Sequence, residues 1–479
     1  MSNVLKDLKP EAVWSIFEEI TRIPRCGGME RNLQQWIESW SEKKGIDYKK
    51  DEIGNICLTV HPTPGQEKVV ALTLQAHQDM VCEKTSESNH VFSKDPLPIR
   101  VYGDKVDSDG TSLGADDGIG LAIAMSIIAD PGPKHGKIEA VFTVDEEGGF
   151  TGVSNMKPQF FTGKYMINVD SEEEGVIIVS SAGGANTDYT FNFKRQPPKT
   201  AEALRLEVGG LLGGHSGVDI DLPRLNAIIV LTQGLKKLNE TVPVRLIEID
   251  GGTRGNAIPR EAHAIFCIPK DRSEEAIEII NGWNISLNRT NEPNLKINVS
   301  KAKQRAMISN TASQSIIKLI SAFPQGVFSW SKEYSNLVQT SNNLGTVKTE
   351  DGRITVHVYS RSSNEEDFEK NLKILRNLGE RYKAYTDQRK GNAGWKASPD
   401  SPLLRLVEKC YEDVLGSSPK ITGIHGGLEC GVFSQLRPEL QIVSIGPTIK
   451  FPHSPREYVE IPTVETLWNV IKKVVSALN

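Results

Sequence analysis

The sequence predicts an α/β domain, built on a mostly parallel central sheet flanked by helices, with an α+β domain inserted into it. Three observations lead there. Short apolar runs alternate with a helix-like run over roughly the first 180 residues; the texture changes near residue 185; and the first texture returns near residue 390. Strand, helix, strand at this spacing is the pattern of a parallel α/β sheet.

The elements follow in order. The opening stretch MSNVLKDLKPEAVWSIFEEI reads as an amphipathic helix, with Val13, Ile16, Phe17 and Ile20 on one face. VVALTLQAH, KIEAVFTVD and YMINVD are apolar runs rich in β-branched and aromatic residues, suited to buried strands. Between the first two, GIGLAIAMSIIAD is small and apolar, suited to a helix packed inside the protein. Beyond residue 185, TDYTFNFKR, ALRLEV, VRLIEI, HAIFCI, LKINVS and ITVHVYS alternate polar and apolar residues, as half-exposed antiparallel strands do. LPRLNAIIVLTQGLKKL and EEAIEIINGWNIS separate them as helices. LLRLVEKCYEDVLG and LQIVSIG then resume the first pattern. The expected division is a discontinuous domain, 1–184 plus 389–479, and an inserted domain, 185–388.

Composition narrows the function. The net charge of −5 comes with no basic stretch, which argues against a nucleic-acid partner. No apolar run reaches the roughly 18 residues of a membrane span, so no membrane partner is expected. The N-terminus carries no apolar signal segment. The six cysteines are scattered without a CxxC, so neither a disulfide framework nor a thiolate zinc site is expected, and a cytoplasmic location follows.

Chemistry collects where the strands end. LTLQAHQD ends in His77 and Asp79, AVFTVDEEGG in Glu146 and Glu147, and YMINVDSEE in Asp170. The FPHSP loop after QIVSIG carries His453, and SLGADDGIG places Asp116 just before the apolar helix. Ligands bind at the carboxyl ends of strands in open parallel sheets. Carboxylates gathered there repel one another unless cations neutralise them. Imidazole plus carboxylate is the donor set of hydrolytic zinc, with manganese or cobalt as alternatives. These donors suit two divalent ions sharing a bridging ligand and a water. Adjacent glutamates diverge, so one of Glu146 and Glu147 is free to act as a base.

The segments HQD, GADDGIG, DEEGG, NVDSEE and FPHSP, in this order, resemble the M20 metallopeptidases. IPRCGGMERNLQQWI, HGGLECGVF and the large insertion point to the subgroup acting on aminoacyl-histidine dipeptides. The resemblance implies a zinc-peptidase-like domain in which His77 and Asp170 bind one ion, Glu147 and His453 the other, and Asp116 bridges them across a cis Asp116–Asp117 bond. It makes Glu146 the general base, and Asp79 the carboxylate that holds the imidazole of His77.

The inserted domain is then a lid that binds substrate. His215 of LLGGHSGVDI stabilises the oxyanion, while Asn256 and Arg361 hold the substrate's backbone or terminal carboxylate. Glu429 of HGGLECGVF faces the substrate's free amino group. His425 in the same segment carries no definite role, and His61, His90, His135, His263 and His357 belong to no constellation. The expected activity is hydrolysis of small unblocked dipeptides, Xaa-His first. The alternatives are a deacylase or tripeptidase on the same centre and, further off, a non-catalytic metal-bound binding protein. A homodimer through the lid, with His215 acting in its own or a partner's site, stays open.

Overall fold

A computed structural model describes residues 3–198, 201–396 and 398–478. The chain divides into two compact units: Met1–Ser181, Trp395–Gly423 and Leu428–Asn479 form the first, and Ala182–Gly394 with Ile424–Gly427 the second. No helix among the described residues is long and apolar enough to cross a membrane.

The first unit is built on an eight-stranded sheet. Its order is Asp47–Lys50, Ile56–Val60, Ile138–Thr143, Leu72–His77, Tyr165–Asn168, Gln441–Ser444, Val176–Ile178 and Lys420–Thr422. Leu72–His77 lies between Ile138–Thr143 and Tyr165–Asn168, parallel to both, and Gln441–Ser444 continues the parallel set. Leu72–His77 and Ile138–Thr143 are buried along their whole length, which explains their largely apolar character. Because the parallel strands point one way, their carboxyl ends open on a single edge.

The helix Ala115–Ala129 packs against Leu72–His77 and is buried all round from Ala115 to Ile128. Its uniform small apolar sequence is what such a position requires. The first helix runs Glu11–Ile20, later than the sequence suggests, because Pro10 stands at its N-cap and its fixed φ suits a helix start. A smaller antiparallel sheet of Ile449–Lys450, Tyr458–Glu460, Lys105–Ser108 and Ile99–Tyr102 carries the loop that contains His453.

The cysteines depart from expectation. Cys26 and Cys82 form a disulfide, with Cα atoms 5.7 Å apart. The backbone beside them runs in register, Met80 N–H donating to Arg25 O at 3.1 Å, and this pairing brings the two thiols together. Sequence spacing does not reveal so distant a contact. Cys57, Cys267, Cys410 and Cys430 are free and buried.

The second unit is a nine-stranded antiparallel sheet with helices packed on it. Its order is Lys296–Lys301, Ala201–Gly209, Ala262–Pro269, Arg245–Gly251, Val338–Glu350, Arg353–Ser362, Gly183–Asn192 and Tyr385–Lys390, with Gly326–Trp330 beside Val338–Glu350. Gly183–Asn192 alternates buried and half-buried residues, the mark of a sheet covered on one face. Leu231 and Leu235 of the helix Ala227–Asn239 share the core with Phe266 and Val356 of the strands. That helix starts five residues after Leu222, the first residue of the helical pattern, because Asn226 caps it, its side chain accepting from Ile228 N and Ile229 N.

Candidate metal centre

The open edge of the first unit gathers seven of the candidate residues. His77 ends the strand Leu72–His77, and its ring is 1% exposed. Its Nδ1 donates to Asp79 O at 3.1 Å and lies 3.3 Å from Asp79 Oδ1. A proton is therefore held on Nδ1, so that the ring in its neutral, metal-binding form presents the Nε2 lone pair. That lone pair faces Asp116 Oδ1 at 3.1 Å and Asp170 Oδ1 at 3.5 Å.

His453 mirrors it. Its Nε2 lies 3.0 Å from Asp116 Oδ2 and 2.9 Å from Glu147 Oε1. Asp116 thus stands between two imidazoles, one on each carboxylate oxygen. The peptide bond from Asp116 to Asp117 is cis, and both residues leave helical geometry although they lie within the first turn. Asp117 Oδ2 accepts from His77 N at 3.2 Å, which ties the turn to the strand end.

Asp79 does more than orient His77. Its Oδ1 accepts from Glu146 N at 3.0 Å and its Oδ2 from Glu147 N at 3.1 Å, so it also sets the turn that follows Ile138–Thr143. Asp145, with φ of 53°, makes the sharp reversal that sends Glu146 and Glu147 back over the edge.

The electrostatics are those of a crowded anionic site. Burial disfavours charge on His77, yet Asp170, Asp116 and Asp79 outweigh it and lift its pKa well above the usual value. Burial likewise opposes charge on His453, but Asp116 and Glu147 push its pKa to about 11. Glu146 is held well above the carboxylate range by burial and then by Asp170, Glu147 and Glu429. Asp170 rises to about 6 for the same first reason, with His77 pulling against it.

These contacts crowd three carboxylates around two imidazoles. Glu147 Oε1 is buried and receives no hydrogen bond, although a histidine nitrogen lies beside it. Ligand atoms from His77, Asp116 and Asp170 lie within 4.8 Å of one another, as do those from Asp116, Glu147 and His453. The two groups share Asp116. Only a cation or extra protons can sit among such atoms, and the donor set is that of divalent zinc, manganese or cobalt. The residues fit the metals expected of them.

A third such group, His77 with Glu146 and Glu147, places the predicted base within the same cluster. Glu429 lies in the first unit at 0% exposure, where its Oε2 accepts from Gln75 Nε2 and Thr143 Oγ1, each at 2.6 Å. Burial raises its pKa to about 8, and its Oε1 has no partner. The short helix Cys430–Leu436 follows it.

The second unit holds the remaining candidates. His215 sits on a short strand paired with Ala257, and Asn256 O accepts from Ser216 N at 2.9 Å. His215 Nδ1 accepts from the amides of Gly217 and Val218, both at 3.3 Å. Its Nε2 lies 3.3 Å from Arg361 Nη2. Arg361 is 7% exposed, and among the described residues no carboxylate pairs with it. His425, to which the sequence assigns no definite role, is buried there with Nε2 bonded to Ser341 Oγ at 2.7 Å; burial, then Arg361 and His215, lower its pKa to about 3. The histidines set aside on sequence are mostly satisfied: His135 bonds Gly136 O, and His357 bonds Asp188. His263 instead lies beside Glu248 and Asp250, with Arg305 already paired to Glu248.

Comparison with known proteins agrees with this geometry. Residues 73–477 match peptidase family M20/M25/M40. The cytosol non-specific dipeptidase of Escherichia coli is 35% identical over 479 residues, covering 99% of each chain. The crystal structure of aminoacylhistidine dipeptidase from Vibrio alginolyticus superposes with a TM-score of 0.88 at 34% identity, over 99% of this chain and 98% of that one. A tripeptidase from Staphylococcus aureus shares the fold at a TM-score of 0.58 and 15% identity, over 98% and 99% of the two chains. The chain belongs to peptidase family M20/M25/M40.

Proposed function

Given that family membership, we propose that the chain is a dinuclear metal-dependent dipeptidase that hydrolyses unblocked dipeptides, Xaa-His among them. The observation that carries it is Asp116 between His77 and His453, with one imidazole Nε2 at each of its carboxylate oxygens. His77 and Asp170 would hold one ion and Glu147 and His453 the other, with Asp116 shared between them. Zinc is the first candidate, with manganese or cobalt able to replace it. Bound there, the ions lower the pKa of a water toward about 7 and polarise the scissile carbonyl.

Glu146 takes the proton of the attacking water and returns it to the leaving amine. Asp79 keeps His77 in the tautomer that presents Nε2. The inserted unit acts as the lid. Its amides at Gly217 and Val218 occupy His215 Nδ1, so the ring proton is on Nε2, where it faces the Arg361 guanidinium. Two donors turned toward one another suit anionic oxygens: the oxyanion for His215, the terminal carboxylate for Arg361. Asn256 supports the substrate backbone, and Glu429 receives the free amino group. Recognition of both a free carboxylate and a free amine would confine the substrate to dipeptides. The cytoplasm is the compartment we assign, following the cytosolic Escherichia coli relative, and association through the lid is open to a sizing measurement.

The test is a substrate panel on the zinc-loaded protein. Ala-His and β-Ala-His are expected to be cleaved, and N-acetyl amino acids and tripeptides to be poor substrates. Turnover of acylated amino acids or tripeptides alone sinks the dipeptidase reading. For His215→Ala, kcat is expected to fall by about 10²–10³ with metal content kept. For Arg361→Lys, losing the two-pronged contact is expected to raise KM by roughly tenfold or more. A rise in KM for N-blocked and free dipeptides alike places Arg361 at the carboxylate; no change in KM rejects it.

A further inference from the structure

We propose that Glu457 is a positioning residue of the metal centre, locking the turn that carries Asp116 to the loop that carries His453. The inference rests on the reading that cations occupy that centre.

Glu457 is 2% exposed. Its carboxylate spans four consecutive backbone amides. Oε2 accepts from Leu113 N at 2.8 Å and Gly114 N at 2.9 Å; Oε1 accepts from Ala115 N at 2.8 Å and Asp116 N at 3.2 Å. An ionised carboxylate offers about four lone-pair sites, and here all are used. The amides belong to the start of the helix Ala115–Ala129, where the aligned peptide dipoles favour a negative charge. The last of the four is that of the bridging aspartate itself.

The same turn is gripped from its carbonyl side. Arg25, 1% exposed, donates through Nη2 to Gly114 O, and through Nη1 to Gln78 O at 3.1 Å and Asp79 O at 2.7 Å. The guanidinium therefore ties the Asp116 turn to the backbone just after His77. Gly114 adopts φ of +65°, and a Cβ there would meet Arg25 Nη2 at 2.5 Å and Met80 Sδ at 2.7 Å. Only glycine allows this grip.

His453 shows why an anchor is needed. Its side chain is 48% exposed, so burial does not hold it over Asp116. Phe451 and His453 both have positive φ, at 54° and 58°, a backbone that L side chains rarely adopt. Within the loop, Ser454 Oγ donates to Phe451 O and Glu457 N donates to Ser454 O, which carries the constraint along to Glu457. The fixed end of this loop is the carboxylate seated on the Asp116 turn. One side chain, four residues beyond one ligand and bonded to the backbone of another, sets the separation of His453 from Asp116.

The experiment compares Glu457→Gln and Glu457→Asp with the wild type. Zinc affinity is read by competition with a chelator, apo stability by thermal melting, and kcat and KM at saturating zinc. Glutamine keeps the shape but has one acceptor oxygen and turns an NH₂ group toward two amides. Loss of such a supporting contact is expected to weaken zinc binding by about 10–100-fold and to lower kcat with KM little changed. Aspartate keeps the charge with a shorter reach and is expected to recover part of the affinity. If Glu457→Gln does not fold, Glu457→Asp decides: weaker zinc binding supports the proposal. Zinc affinity and kcat unchanged in a folded variant, with only the melting temperature lowered, overturns it. A wild type that binds no zinc instead overturns the cation reading itself.

Discussion

Removing divalent ions with a chelator is expected to abolish turnover, and adding zinc back to restore it in proportion to the metal bound. The size of the effect follows from the chemistry. Free water has a pKa near 15.7 and supplies almost no nucleophile at neutral pH, whereas two cations bring it toward about 7. The protein itself offers nothing in their place. Asp116, Asp170 and Glu147 crowd their carboxylates around His77 Nε2 and His453 Nε2. Stripped of metal, the site must fill with protons or open. The metal-free protein is therefore expected to melt at lower temperature, and a ligand held at 100 times its Kd stabilises the fold by about 2.7 kcal/mol. Metal content by elemental analysis, activity and melting temperature are measured on one preparation. Full activity in protein shown to be free of metal rejects the dinuclear reading.

Glu146→Gln comes next in expected size. It keeps volume and shape but cannot take a proton, and general-base catalysis contributes about 10²–10⁴ in rate. The drop belongs in kcat, with KM and metal content close to wild type. Metal content is the informative control, because Glu146 forms, with His77 and Glu147, a group whose ligand atoms come within 4.8 Å of one another. If one ion is lost with activity, Glu146 is a ligand rather than the base. If rate and metal are both unchanged, Glu146 has neither role. Glu147, beside it, behaves differently: its Oε1 is already turned to His453 at 2.9 Å, so Glu147→Gln is expected to lose metal.

The parts legible without coordinates are local ones. A buried parallel strand announces itself as an unbroken apolar run, and a polar residue that ends such a run must stand at the sheet's carboxyl edge. His77, Glu146, Glu147 and Asp170 were therefore readable as neighbours, although they are spread over about 90 residues. The boundary of the helix Ala227–Asn239 was less legible, since Leu222 and Leu225 continue its apolar pattern and only the cap at Asn226 shows where it starts.

Long-range pairings left no such trace. Nothing local in the sequence marks Arg25 or Glu457, yet both are buried on the backbone of the Asp116 turn. Cys26 and Cys82 meet because the Arg25 and Met80 backbones run together, which no spacing encodes. Glu429 is held by Gln75 and Thr143, polar side chains inside the sheet that come from two separate strands.

What the sequence determined by itself is the inventory: which carboxylates and imidazoles stand at which strand ends, and hence the class of ion they attract. Side-chain type and strand period are local properties, and one chain carries them in full. Only the tertiary structure decided which oxygen faces which nitrogen, and that Asp116 alone stands between both histidines. Those distances are set by a turn held between Arg25 and Glu457, residues 89 and 341 positions from their hydrogen-bond partners there, and contacts so distant exist only once the sheet has closed.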